Sequence, residues 1–185
     1  MSPIEMGRLF AKLRTYKKAD QGVAAIEFAL VLPFLLILCF GGLEIMNGVT
    51  LDRQVSLVAT SVDNIVSQYT SISASTQMPD ILGASVQIMQ PYTTSNAGIV
   101  VSLITISSSG QATVTWSQAL NATARTPNST VTVPAALDTP NTTLVLSEAS
   151  YSYTPVFDFI SAGTMHLYHS IYMVPREATT INLTT

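Results

Sequence analysis

Few side chains in this sequence are placed to do chemistry. His166 and His169 are its two histidines. Three residues apart, they would share a helix face and could ligate a metal there, but the run His166 to Val174 reads as a strand, which sends them to opposite faces. No metal site follows from them, and no cofactor motif accompanies them. Serines are abundant, yet neither a G-x-S-x-G elbow nor an S-x-x-K pair occurs, so no nucleophile has a nominated base. Cys39, the lone cysteine, lies inside an apolar run, which excludes an intrachain disulfide or thiolate cluster and leaves a small packing group. Trp116, Tyr151, Tyr153, Tyr168 and Tyr172 read as sheet packing rather than as a carbohydrate or peptide platform. A membrane-tethered hydrolase would need an acid/base cluster that is missing, so the expectation is a protein without catalysis.

The elements that carry these residues follow from composition and periodicity. A chain of 185 residues holds one ordinary domain plus a membrane segment. Charged residues make up 10% of it and apolar ones 48%, against the roughly 25% charged usage of a soluble domain. Five of the eight cations, Arg8, Lys12, Arg14, Lys17 and Lys18, precede residue 22. Beyond Met46, three arginines face seven carboxylates, a formal charge of minus four that gives no footprint for nucleic acid.

From Phe28 to Leu43 the chain reads FALVLPFLLILCFGGL without a charge, and its flanks extend it to the roughly 20 residues a helix needs to cross a bilayer. In hydrocarbon such a run must be helical, and Pro33 implies a local kink. The basic arm places the N-terminus in the cytoplasm and everything after about Met46 outside it. A cleaved signal peptide fits poorly, because the run is long and Phe40 is bulky two residues before Gly42. A lipoprotein fits worse, with Leu38 ahead of Cys39. An uncleaved anchor fits the same physics, and only what happens at Gly22 separates it from a processed one.

Past Gly41, Gly42 and Gly48, the apolar positions Leu51, Val55, Val58, Val62, Ile65 and Tyr69 trace one helical stripe, with Asp52, Asp63 and other polar residues between them. A single helix from about Ala24 to Tyr69 is expected, with bending or melting near the glycines and Glu44 reaching water. A short helix is expected over Gln77 to Gln90. Strands follow over Ile99 to Ile106, apolar on both faces, and over Ala112 to Ser117, where Ala112, Val114 and Trp116 alternate with polar residues across a Ser107–Gly110 turn. Asn121 to Thr143, with three prolines, reads as a surface connection. Its Asn-x-Ser/Thr matches at Asn121, Asn128 and Asn141, and the one at Asn182, carry no assigned glycan. Strands resume over Thr143 to Thr154, with Ala149, Tyr151 and Tyr153 on one face, and over His166 to Val174. The expected fold class is α+β: about four antiparallel strands packed on the amphipathic half of a long N-terminal helix.

The segment QGVAAIEFALVLPFLLILCFGGLEIMNG, Gln21 to Gly48, resembles the N-terminal segment of the TadE and TadG family of the bacterial tight adherence (Flp) pilus system. The resemblance rests on the basic arm, Gly22 before the apolar helix, Glu27 followed by Phe28, Pro33, and Glu44 after paired glycines. ASYSYTPVF (Ala149 to Phe157) and MVPRE (Met173 to Glu177) resemble the TadE C-terminal pattern. TadE is closest in size, TadG-like members carry a larger outer domain, and TadF remains an alternative.

The resemblance implies a pilin-like fold and a minor pilin or pseudopilin role. A prepilin peptidase would cut between Gly22 and Val23, removing the leader 1–22 and leaving a transmembrane helix 23–46, its amphipathic continuation 47–70 and an extracytoplasmic β-rich domain 71–185. Glu27, with Phe28, would serve processing and assembly, its carboxylate pairing with the new Val23 amine in the same chain or a neighbour; otherwise it snorkels at the interface. Implied partners are the prepilin peptidase, other minor pilins, the major Flp pilin, the tight adherence inner-membrane platform and lipid. The location is the inner membrane, with the outer domain periplasmic or in the pilus. The alternative is an uncleaved envelope anchor whose outer domain binds secretion components.

Overall fold

A computed structural model describes residues 20–155 and 163–185. The basic arm before Asp20, and Val156 and Phe157 of the distal motif, lie outside the described residues. The chain forms two compact units, Met1–Glu44 and Ile45–Thr185. Helix α1, Asp20–Val66, is assigned without a break through Pro33, Gly41, Gly42 and Gly48, so no melting occurs at the glycines. Pro33 lacks the N–H that would reach the Ala29 carbonyl one turn back.

In the first unit the side chains of α1 from Val23 to Cys39 are bare. Ile26, Phe34 and Leu38 are 70%, 68% and 75% exposed, and Cys39 faces outward instead of packing. Glu44 is buried rather than open to water. A helix that is apolar all round and uncovered by its own chain requires lipid or other helices as its surroundings.

The second unit begins with the amphipathic part of α1. Leu51, Val55, Val58 and Val62 are all but inaccessible, with Ile65 and Tyr69 packed at the margin, as the stripe predicts. Ala59, Val66, Asp63 and Ser67 widen that stripe. Strand β1 (Ser71–Ser73) and helix α2 (Gln77–Val86) follow, α2 turning its Met78, Ile81, Leu82 and Val86 into the same core. The main sheet comprises β2 (Ala97–Ile106), β3 (Ala112–Leu120), β4 (Thr143–Tyr153) and β5 (Met165–Met173), ordered β3-β2-β4-β5 and antiparallel throughout. Four antiparallel strands against a long helix is the α+β architecture expected. A parallel pair formed by β1 and β6 (Asn182–Thr184) has no alternation to announce it and was not foreseen.

Strand β3 corrects a second expectation. Its register against β2 slips between Leu103 and Ile104: Leu103 faces Trp116, Ile104 faces Val114, and Thr115 is left over. An extra residue reverses the side-chain alternation beyond it. Ala112 and Val114 therefore join a small core on the outer face of the sheet, whereas Trp116 joins the helix-side core. That outer core includes Ile104, Ile106, Leu144 and Leu146, and the 121–142 connection closes it with Val131 and, at its edge, Val133 and Leu137. The connection is thus a cover for the sheet and not merely a surface loop. Asn121, Asn128 and Asn141 turn it with φ of 51°, 64° and 61°, left-handed conformations that asparagine tolerates.

Trp116 also fixes the C-terminal segment, its indole Nε1 donating to the Ile181 carbonyl at 2.8 Å. Trp116→Phe keeps most of the ring packing and orphans that buried carbonyl. The expected loss is about 1–2 kcal/mol, read as a lower urea midpoint of the purified protein in detergent.

Candidate functional site

The residues singled out for processing share one helix. Gly22, Val23, Glu27, Phe28 and Pro33 all lie on α1 within Met1–Glu44, and all are exposed. Val23 is 56% and Phe28 60% exposed. A Cβ built on Gly22 meets nothing within 4 Å, so the Gly22–Val23 peptide is open to approach. That peptide lies within α1, on its exposed surface. Val23 and Glu27 are four residues apart, neighbours on one helix face at about 5–6 Å between their Cβ atoms. The helix brings these two together; Pro33 is more than a turn further on.

The histidines separate as strand geometry requires. His166 Nδ1 lies 3.2 Å from Ser152 Oγ, while His169 Nε2 lies 2.9 Å from Asp52 Oδ1 of α1, on the helix side of the sheet. They do not converge on one point. The aromatic residues are not all packing groups either. Trp116, Tyr151 and Tyr153 are buried, but Tyr168 and Tyr172 stand on the outer face and Tyr168 is 57% exposed.

Two clusters in the second unit escaped the sequence. On the outer face, Arg125 from the long connection donates Nε to Glu148 Oε2 and Nη2 to Glu148 Oε1, both at 2.7 Å. Tyr168 donates its hydroxyl to Glu148 Oε1 at 2.5 Å. Burial pushes the Glu148 carboxyl up, but the bonds from Arg125 and Tyr168 and the guanidinium charge outweigh it, and the net shift is downward. Burial, with the Glu148 bond and charge, pushes the Tyr168 phenol up to about 12. The only available signal was scarcity: with three arginines beyond Met46, each has a high chance of a structural partner.

The other cluster lies under α1. Asp63 was placed among the polar positions between the stripe residues, yet it is 0% exposed. Its Oδ1 accepts from Ser147 Oγ of β4 at 3.3 Å, and Oδ2 has no partner among the described residues. Burial raises its pKa from 3.8 to about 8, with the Ser147 bond and the Arg176 charge opposing. Asp63 follows Val62 by one position and Ala59 by four, inside an apolar stripe wider than six residues suggested.

A bare apolar helix that continues into a small antiparallel sheet domain defines a helix-anchored α+β protein. Among the described residues one helix is long and apolar enough to cross a membrane. Residues 22–61 match the family model of the TadE-like protein. That match opens at Gly22 and runs through the apolar helix into the buried stripe of the second unit. Among curated proteins and solved structures, none matches the chain.

Asp63 generates a pH dependence with a defined sign. Between about pH 4 and pH 8 the unfolded chain has lost this proton and the folded chain retains it, so stability falls as pH rises through that window. Above it both states are ionised and the loss stops. Unfolding free energies of wild type and Asp63→Asn, measured by urea titration across this range, should differ with a slope approaching about 1.4 kcal/mol per pH unit. Parallel profiles would place the ionised carboxylate in the core.

Proposed function

We propose that the protein is a minor pilin or pseudopilin required for assembly of a tight adherence (Flp) pilus. One observation carries the reading: the TadE-like match begins at Gly22, the residue ahead of the apolar helix, and covers both the bare and the buried parts of α1. Prepilin peptidase cuts between Gly22 and Val23 on the cytoplasmic face, releasing the basic leader. Glycine at the scissile bond leaves room for the protease backbone. The helix stays in the inner membrane, and the sheet domain lies in the periplasm or in the pilus.

Glu27 becomes the fifth residue of the mature chain. Its carboxylate stands one helical turn from the new Val23 amine, a cation that relieves the cost of a charge at the edge of hydrocarbon. The same pair formed between chains sets the axial register of stacked helices. Phe28 and the rest of the bare surface face neighbouring subunits or lipid, and Pro33 supplies the kink. The partners are the prepilin peptidase, other minor pilins, the major Flp pilin and the inner-membrane platform. The reading assigns no catalytic step and no cofactor.

Mass spectrometry of the protein from cells with an active prepilin peptidase tests this directly. The expected N-terminus is Val23; intact leader on the whole population would sink the pilin reading. Gly22→Leu is expected to leave the leader in place and abolish pilus-dependent surface attachment. Glu27→Gln is expected to be processed or incorporated poorly, and unchanged processing and assembly would remove its role.

A further inference from the structure

We propose that the outer face of the sheet carries a binding site for a neutral sugar ring, formed by Tyr168, Arg125 and the hydroxyl-lined 123–130 segment. A cavity of about 520 Å³ opens there, between strands β2, β4 and β5 below and the 123–130 segment beside them. Its size falls within the roughly 300–1,000 Å³ of small-molecule sites.

Charge sets the first limit on the occupant. Arg125 grips both oxygens of Glu148, which is 8% exposed, so the one anion and the one cation lining the cavity cancel. A phosphate would meet Glu148 as well as Arg125, and an amine would meet the reverse, so neither gains net attraction. A neutral polar ligand meets no such opposition.

Shape and hydrogen bonding set the second limit. Tyr168 is 57% exposed, yet its hydroxyl is tied to Glu148, which holds a flat apolar ring in the lining of the cavity at a reduced ordering cost. Thr123, Thr126, Ser129 and Thr130 also line the cavity, and their hydroxyls make no side-chain hydrogen bond among the described residues. Each is both donor and acceptor, the complement of a ligand whose carbons bear hydroxyls along its rim. A pyranose offers that rim together with a C–H face for the Tyr168 ring. An extended peptide is the poorer fit, because peptides add to sheet edges and this cavity lies on a sheet face.

Saturation-transfer NMR on the full chain in detergent micelles tests the site. The probes are glucose, galactose, mannose and N-acetylglucosamine, with glucuronic acid, glucosamine and triglycine as controls. The expected result is saturable binding of at least one neutral sugar, weakened about tenfold by Tyr168→Ala and unchanged by Gln111→Ala, an exposed substitution outside the cavity. Should Tyr168→Ala fail to fold, the double variant Thr126→Val and Ser129→Ala carries the test with the same expectation. The site is overturned if no neutral sugar binds saturably, if a control binds better, or if the folded cavity variants bind as wild type does. None of these outcomes depends on leader processing or pilus assembly.

Discussion

Burial of the Leu51–Val66 stripe against the inner face of the sheet is the contact on which the second unit rests. The stripe, α2 and the inner residues of β2 and β4 form one continuous core, in which Leu51, Val58, Ile99, Leu103 and Val145 are essentially inaccessible. Each such side chain contributes roughly 1.5–3 kcal/mol of burial, so the helix could not leave the sheet without exposing more apolar surface than a domain of this size can tolerate. In the first unit the same helix has no such cover. One element thus changes from a surface that needs a non-aqueous neighbour to one that supplies its own, with no break in its hydrogen-bonded backbone.

The sheet needs both faces covered, and a single bulge makes that possible. With the Thr115 slip, β3 directs Trp116 to the helix and Val114 and Ala112 away from it. The 121–142 connection then becomes part of the fold. It lays Val131 over the outer core, and the isolated bridge between Thr113 and Thr130 holds it along the free edge of β3. Gly98 permits its close approach: a Cβ there would meet Ser150 Oγ at 2.8 Å and Ala122 Cβ at 3.2 Å. The Arg125–Glu148 pair secures the same connection at the middle of the sheet, and the cavity lies in the remaining gap.

Much of this was legible because period and composition are local properties. The helical stripe, the two-faced β2, the turn at Ser107–Gly110 and the strand ends at Pro155 and Pro175 are all written within a few residues of where they act. What was not legible depends on partners distant in sequence. Asp63 was counted as polar because its burial is decided by Ser147, 84 residues away. The bulge at Thr115 has no residue signature, since Thr115 would serve equally well in an unbroken strand. Strands β1 and β6 have three residues each and exist because Ile72, Ile181 and Leu183 reach the core. The residues proposed for processing were legible only in position, one helix carrying them all; the roles proposed for them depend on molecules outside this chain.

The sparseness of charge ties the surface to the proposed role. In the second unit the charged side chains that the fold engages have polar partners close by: Arg125 grips Glu148, Asp52 lies beside His169, and Arg176 Nη2 donates to the Asn64 side-chain Oδ1, while Asp63 is buried. Much of the remaining surface is threonine, serine and asparagine. Desolvating a hydroxyl that finds a new partner costs far less than desolvating an unpaired charge. A surface of this kind can be buried against successive neighbours without requiring a matching countercharge at each contact, which suits a subunit whose bare helix already has to pack among others. In the proposed role, the apolar helix and the hydroxyl-rich sheet domain would both answer one constraint, contact with neighbours over much of their surface.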